Sequence, residues 1–436
     1  MPKTRPLRFS DGSRVGTDLP ARLKDKFSSV KALRPAPRRG SSSLDLDESR
    51  ATENSDSLAL LLGATVQRNH YGEHFSIRRW FSEPCEFAPH PDALRLIAPD
   101  APREASDPQR WLFLDTETTG LSGGSGTYAF LVGLAWWDAG GLEVEQFFMR
   151  DHSEEHSVLL ALRERMTERP ILVTYNGKAF DWPLLETRFR MTRAIAPLAP
   201  LVHLDLLHPA RQLWRLRVGN ARLAQLERHI LGWERDGDVL SDLIPQIYFD
   251  FLRTGSAEPL LPVLRHNQMD LRGLAAISQR VFSLLTAPEH EYSDAFELYG
   301  VSRIFSRRGE RARARELFGR TLDAGLPEEL HRSARRQLAR LAKRDRDYGL
   351  ALSLWEELSS EHRSGLAESM EAAIELAIHY EHRVRDPERA AKIMRAALAT
   401  LSGHSNTVHT HTRGFRNLRT RLEHRLDRLD RKSARL

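Results

Sequence analysis

Two acids separated by one residue, Asp115 and Glu117, offer this chain's clearest chemistry. They sit in Asp115-Thr116-Glu117-Thr118-Thr119-Gly120, directly after the apolar run Trp111-Leu112-Phe113-Leu114. On a buried strand, side chains two apart leave the same face, about 6–7 Å from one another at the backbone. Two ionised carboxylates so placed repel each other and are costly to desolvate, unless a proton or a cation relieves them. A hard divalent ion with oxygen ligands does so. An Asp-x-Glu pair alone is a short pattern, and two later segments extend it. Asn176-Gly177-Lys178-Ala179-Phe180-Asp181 puts a carboxylate at a turn and a helix start, where capping is the plainer role. In Arg265-His266-Asn267-Gln268-Met269-Asp270, His266 and Asp270 are four apart and share one helix face. There the plainer reading of His266 is an exposed helix residue.

The elements that must position these groups are legible from periodicity. Residues 111–282 alternate strand and helix signals, the pattern of an α/β layer fold. Strands are expected at 111–114, 128–137, 144–149, 171–175 and 201–204. The second and third of these are joined as a hairpin around Asp138-Ala139-Gly140-Gly141. Helices are expected at 153–168, from Asp181 onward, and around 221–231, 242–253 and 260–283. The stretch 59–100 reads as short strands and turns. Past 295 helical periodicity takes over, with small-x-x-x-large pairs at Ala314/Phe318, Ala351/Trp355 and Ala390/Met394. Their spacing of nearly 40 residues is close to that of a degenerate tetratricopeptide repeat, about 34; ordinary helix pairs are the alternative.

Together the three acidic segments resemble the three motifs of the DEDD exonuclease superfamily. The helical extension makes the chain most like the bacterial YprB-type family of predicted exonucleases. The resemblance covers roughly residues 59–400 and is strongest over 111–283. It implies an α/β ribonuclease H-like domain, with a mixed five-stranded sheet flanked by helices, followed by an all-α tetratricopeptide-like domain. It also implies 3′–5′ exonuclease activity with two Mg2+ or Mn2+ ions. Asp115 would bridge both ions, Glu117 and Asp270 would hold one, and Asp181 the other. His266 would orient or deprotonate the attacking water. Thr118, Thr119, Gly120 and Asn176 would meet the terminal nucleotide, and Lys178 a phosphate. One departure stands out. Three residues separate His266 from Asp270, the spacing of the class that uses tyrosine, so His266 takes the tyrosine's place. The other readings are an inactive nucleic-acid- or protein-binding scaffold and an endonuclease on the same fold.

Composition is that of a soluble globular protein with enough apolar mass for a core: 436 residues, 41% hydrophobic and 28% charged. The longest apolar stretch, 128–137, is far short of the roughly 20 residues that span a bilayer. Cys85 is the only cysteine, which excludes an intrachain disulfide and a thiolate zinc cluster. No apolar segment follows the charged start, so a cytoplasmic location is expected. The net charge of +6 is unevenly spread: +6 over 1–50, −10 over 51–298, +8 over 299–346, −4 over 347–410 and +6 over 411–436. An acidic block flanked by basic segments suits a cation site beside surfaces for a polyanion, either DNA or RNA. The expected divisions are a disordered basic segment at 1–55, an accessory subdomain at 56–105 and the nuclease-like domain at 106–290. Helical repeats at 295–402, open to a protein partner, precede a basic amphipathic helix at 411–436. Two other patterns are set aside. The glycine-rich run 120–126 lacks a P-loop ending and reads as a connection; His203-Leu204-Asp205 reads as a strand end with Asp205 capping the next helix.

Overall fold

The computed structural model describes residues 55–120, 126–196, 199–288, 292, 294–360, 365–403 and 413–434. The chain divides into units Met1–Asp56 and Ser57–Leu436, and all that follows concerns the second. The expected disordered segment and most of the glycine-rich connection lie outside the described residues.

Seven strands form one sheet: β1 (Thr65–Asn69), β2 (Gly72–Phe81), β3 (Trp111–Thr118), β4 (Ala129–Asp138), β5 (Gly141–Phe148), β6 (Ile171–Thr174) and β7 (Val202–Asp205). Their order is β1-β2-β5-β4-β3-β6-β7. β3, β6 and β7 run parallel, and the remaining pairs are antiparallel. The five strands foreseen are the central and far-edge ones. The β1–β2 hairpin adds two more, because β2 pairs with β5 over 75–81 rather than forming a separate layer. The β4–β5 turn is as expected: Ala139 and Gly140 both have positive φ (47° and 80°), the two-residue geometry that suits a twisted hairpin.

Alternation along β3 builds both cores. Trp111 and Phe113 enter one apolar cluster, Leu112 and Leu114 the other, and all four are fully buried. The covering helices are α1 (Pro91–Ile97), α2 (Glu155–Glu168), α3 (Asp181–Thr192), α4 (Leu207–Val218), α5 (Ile244–Thr254) and α6 (Leu260–Thr286). α6 gives Leu260, Val263 and Leu264 to one cluster and Leu271, Leu274 and Ala275 to the other. It therefore passes from one face of the sheet to the other, and its middle residues meet the ends of β3 and β4.

Helices then follow one another: α7 (Ala295–Arg308), α8 (Arg311–Asp323), α9 (Glu328–Arg344), α10 (Tyr348–Ser360), α11 (Leu366–His379) and α12 (Pro387–Gly403). Each packs on the next. The three small-x-x-x-large pairs are all buried, Ala314, Phe318, Ala390 and Met394 completely. α13 (Arg413–Ser433) lies against α12, burying Leu422 and Leu429. Arg425, Arg428 and Lys432 converge there on the buried Glu381. Among the described residues, no helix is long and apolar enough to cross a membrane.

Candidate active site

β3 ends with a register shift between Glu117 and Thr118, where its pairing with β4 is interrupted. Asp115 and Glu117 thus stand where the sheet opens. Asp115 is paired in register with Gly133 of β4, and Gly133 with Gln146 of β5, so the three form one row across the sheet. Over that row lies Asn267 of α6. Its side-chain amide donates to Asp115 Oδ2 at 2.8 Å, and its Oδ1 accepts from Gln146 Nε2 at 2.7 Å. Gly133 is what admits it: a Cβ there would fall 2.1 Å from Asn267 Oδ1.

Asp181 begins α3. Its Oδ1 accepts from Thr116 Oγ1 at 2.6 Å, which ties the second acidic segment to the first. The preceding turn needs Asn176 in the left-handed region, φ 69°. It is held by Asp205 at the end of β7, which accepts from the backbone N–H of Asn176 (2.9 Å) and of Lys178 (3.1 Å). Asp205 also accepts from Leu207 N–H at 3.0 Å, at the first residue of α4, although Leu206 rather than Asp205 occupies the N-cap position.

α6 supplies the rest. His266 Nε2 lies 3.5 Å from Asp270 Oδ2 and 3.9 Å from Glu117 Oε1. Candidate ligand atoms of Glu117, His266 and Asp270 all lie within 4.8 Å of one another. His266 Nδ1 is 2.7 Å from Asp238 Oδ1. Asp270 Oδ1 accepts from Arg235 at 2.5 Å, and Arg235 also pairs with the buried Glu227 and with Asp238. Glu227 in turn is packed on α6 at Gly273, where a Cβ would fall 1.9 Å from its Oε1.

Asp115, Glu117, Asp181 and Asp270 are all half-buried. Burial pushes the carboxyl of Asp115 well above the usual range, and the charges of Asp270, Glu117 and Asp181 add to it. Burial likewise raises Glu117, with Asp270, Asp181 and Asp238 contributing. Asp181 is raised by burial against the opposing hydrogen bond from Thr116. At Asp238 burial is outweighed by His266 and Arg235, and its carboxyl is lowered. Arg235 is held firmly protonated, burial being overcome by Glu227 and Asp270. Acids that disfavour their own ionisation so strongly suit a hard cation with oxygen donors. The residues present fit divalent ions.

Thr118 and Thr119 are engaged internally: Thr118 Oγ1 donates to Gly120 O, and Thr119 Oγ1 accepts from Tyr128 N–H. Lys178 is exposed on the turn, as is Phe180, 60% accessible immediately before Asp181. Asn267, Gln146, Asp238 and Arg235 were not marked in the sequence. Asn267 lies inside the third acidic segment and Arg235 and Asp238 in a charged loop, but no spacing rule points to them.

The model of the RNase_H superfamily matches residues 112–282, the stretch that carries Asp115, Glu117, Asp181, His266 and Asp270. The chain is 32% identical over 288 residues to YprB, an uncharacterized protein of Bacillus subtilis (strain 168), covering 66% of this chain and 68% of that protein. Among solved structures, the family B DNA polymerase of the hyperthermophilic archaeon Pyrobaculum calidifontis is matched at a TM-score of 0.33 and 13% identity. That match covers 45% of this chain and 29% of the polymerase, too shallow a likeness to carry any argument. Motif order, sheet topology and sequence identity agree: the chain belongs to the YprB family within the RNase H superfamily.

Proposed function

We propose that this protein is a metal-dependent nuclease that hydrolyses phosphodiester bonds of nucleic acid, and that it is a DEDD-type enzyme working from the 3′ end. One observation carries the reading: Asp115, Glu117, Asp181 and Asp270, spread over the chain, share one electrostatic environment beside His266. Bound Mg2+ or Mn2+, two ions in the mechanism resembled, would polarise the phosphoryl group and ease deprotonation of water.

The protein's own groups divide the remaining tasks. Asp115, Glu117, Asp181 and Asp270 would hold the cations, and Asn267 fixes the Asp115 carboxylate. Asp238 would accept a hydrogen bond from Nδ1–H of His266, which leaves Nε2 facing Glu117 and Asp270, where it would orient or deprotonate the attacking water. Phe180 offers a face on which the terminal base stacks. Thr118, Thr119 and Gly120 close the strand end against the terminal nucleotide, with Asn176 shaping the turn opposite. Lys178 meets a phosphate. The helices from 295 to 402, read as tetratricopeptide-like repeats, recruit a protein partner.

Purified protein with Mg2+ or Mn2+ should shorten a 5′-labelled oligonucleotide stepwise from its 3′ end, and Asp115→Ala should not. Equal degradation by both proteins would refute the assignment. A 3′-blocked substrate cleaved at the same rate would move the reading to an endonuclease. The pairing of Arg235 with Asp270 favours one other reading, a scaffold whose acids are already balanced by the protein. That reading requires binding of nucleic acid without metal and no turnover.

A further inference from the structure

A cavity of about 350 Å3 lies between the turn that leads to Asp181, the start of α4 and the end of α7. Lys178, His203, His208, Gln212 and Arg307 line it. Lys178 comes from the second acidic segment, and Arg307 from the basic stretch 299–346. Nothing in the sequence relates the two. Lys178 and Arg307 are exposed, and among the described residues neither cationic head has a carboxylate or carbonyl partner. The one carboxylate on the lining, Asp205, is already engaged by three backbone N–H groups. Burial and the nearby Lys178 push His203 down to about 4, against the pull of Asp205, so its ring is neutral and bonded to Thr174 Oγ1. The lining therefore carries the cations Lys178, Arg307 and Arg308 against a single carboxylate, Asp205.

Its walls are rigid. α7 is pressed on α4 so closely that a Cβ on Gly300 would fall 2.8 Å from the Leu213 Cα and the Gln212 carbonyl. Glu297 locks the contact, accepting from Trp214 Nε1 at 2.7 Å and from Arg280 at 2.6 Å. Arg308 is bound to the carbonyls of Leu96 and Ile97 and stands between this cavity and a second of about 960 Å3. Arg307 lines both cavities, and the second continues past Arg95 and His90. Leu96, Arg307 and Arg308 thus line both this cavity and the larger cleft bordered by α1 and α7.

We propose that this cavity holds a backbone phosphate of a single nucleic-acid strand, between Lys178 and Arg307. The proposal rests on the nuclease reading for its substrate class. Its chemistry is that of phosphate neutralisation: cationic side chains on fixed elements, affinity that falls with salt, and no base-edge readout. The volume sits at the low end of small-ligand pockets, enough for one phosphate and its sugar.

The test is made by fluorescence anisotropy, with a labelled single-stranded oligonucleotide, DNA and RNA in separate arms. The protein carries Asp115→Ala, so that binding is read without cleavage. Arg307→Glu should weaken binding about tenfold and reduce the slope of log affinity against log salt by about 0.7, while Arg307→Lys restores both. Arg344→Glu is the control. It reverses an exposed charge of the same basic stretch away from the cavity and should leave affinity near that of the parent. Equal weakening by Arg344→Glu, or none by Arg307→Glu, overturns the proposal. So does saturable binding of a nucleoside monophosphate that Arg307→Glu abolishes while strand binding persists, since the cavity is then a small-molecule site. Loss of strand binding in Arg307→Glu from a wild type that cleaves nothing removes the nuclease reading and leaves the phosphate site in place.

Discussion

At Asp115 the demands of function and stability oppose each other. Its folded pKa is raised by burial and by three neighbouring acids, so its protonated form is favoured in the folded protein. A raised carboxyl contributes stability that is complete below the unfolded value, near 4, and is lost as pH rises through the folded one. Metal-free protein is therefore destabilised at neutral and alkaline pH by the very groups that would bind cations. Asp115→Asn keeps the shape and the hydrogen bond from Asn267 while removing the charge. In EDTA at pH 8 it should melt about 1–2 °C higher than wild type, equivalent to roughly 1 kcal/mol, and the gap should shrink toward pH 4. Added Mg2+ should raise the melting temperature of wild type alone. A variant that melts below wild type in EDTA at pH 8 would contradict this account of the site.

Among the elements, the decisive contact is that of α6 with the sheet. The row Asp115–Gly133–Gln146 offers a flat, side-chain-free place at its centre, and Asn267 fills it. Gly133→Ala drives a methyl group into the Asn267 amide, and both of its buried hydrogen bonds must break or move. The expected cost is about 1–3 kcal/mol, with kcat falling more than tenfold because the Asp115 carboxylate loses its tether. Gly319→Ala, in α8, has open space around the new methyl and should be neutral or stabilising by a few tenths of a kcal/mol. Thermal melting of the two variants checks the contrast, and equal effects would remove Asn267 from its assigned role.

Across the whole molecule, the first helix of the C-terminal series belongs as much to the nuclease-like domain as to its own neighbours. α7 packs on both α4 and α8, and Glu297 is buried at the first of these contacts. Glu297→Ala leaves the Trp214 indole N–H and one Arg280 partner unmet, a loss on the order of 2–3 kcal/mol. Backbone amides of α7 and α4 should then exchange hydrogen faster, while those of α11 and α12 stay protected. Unchanged exchange in α7 would mean that apolar packing alone holds the helix. A rigid junction also explains why Arg307 can serve a cleft whose other wall lies in the sheet domain.

Periodicity and local chemistry determined much of this protein from sequence alone: the buried strand ending in Asp115 and Glu117, the β4–β5 turn, the helix starting at Asp181, and the shared face of His266 and Asp270. Each depends on residues within a few positions of one another, where backbone geometry sets the spacing. Tertiary structure alone decided that β1 and β2 join the main sheet, that Asn267 and Gln146 meet across Gly133, that Asp238 orients His266, and that Arg307 and Lys178 line one cavity. Those pairs are separated by tens to more than a hundred positions. Their contacts follow from how whole elements pack, and no local spacing records that.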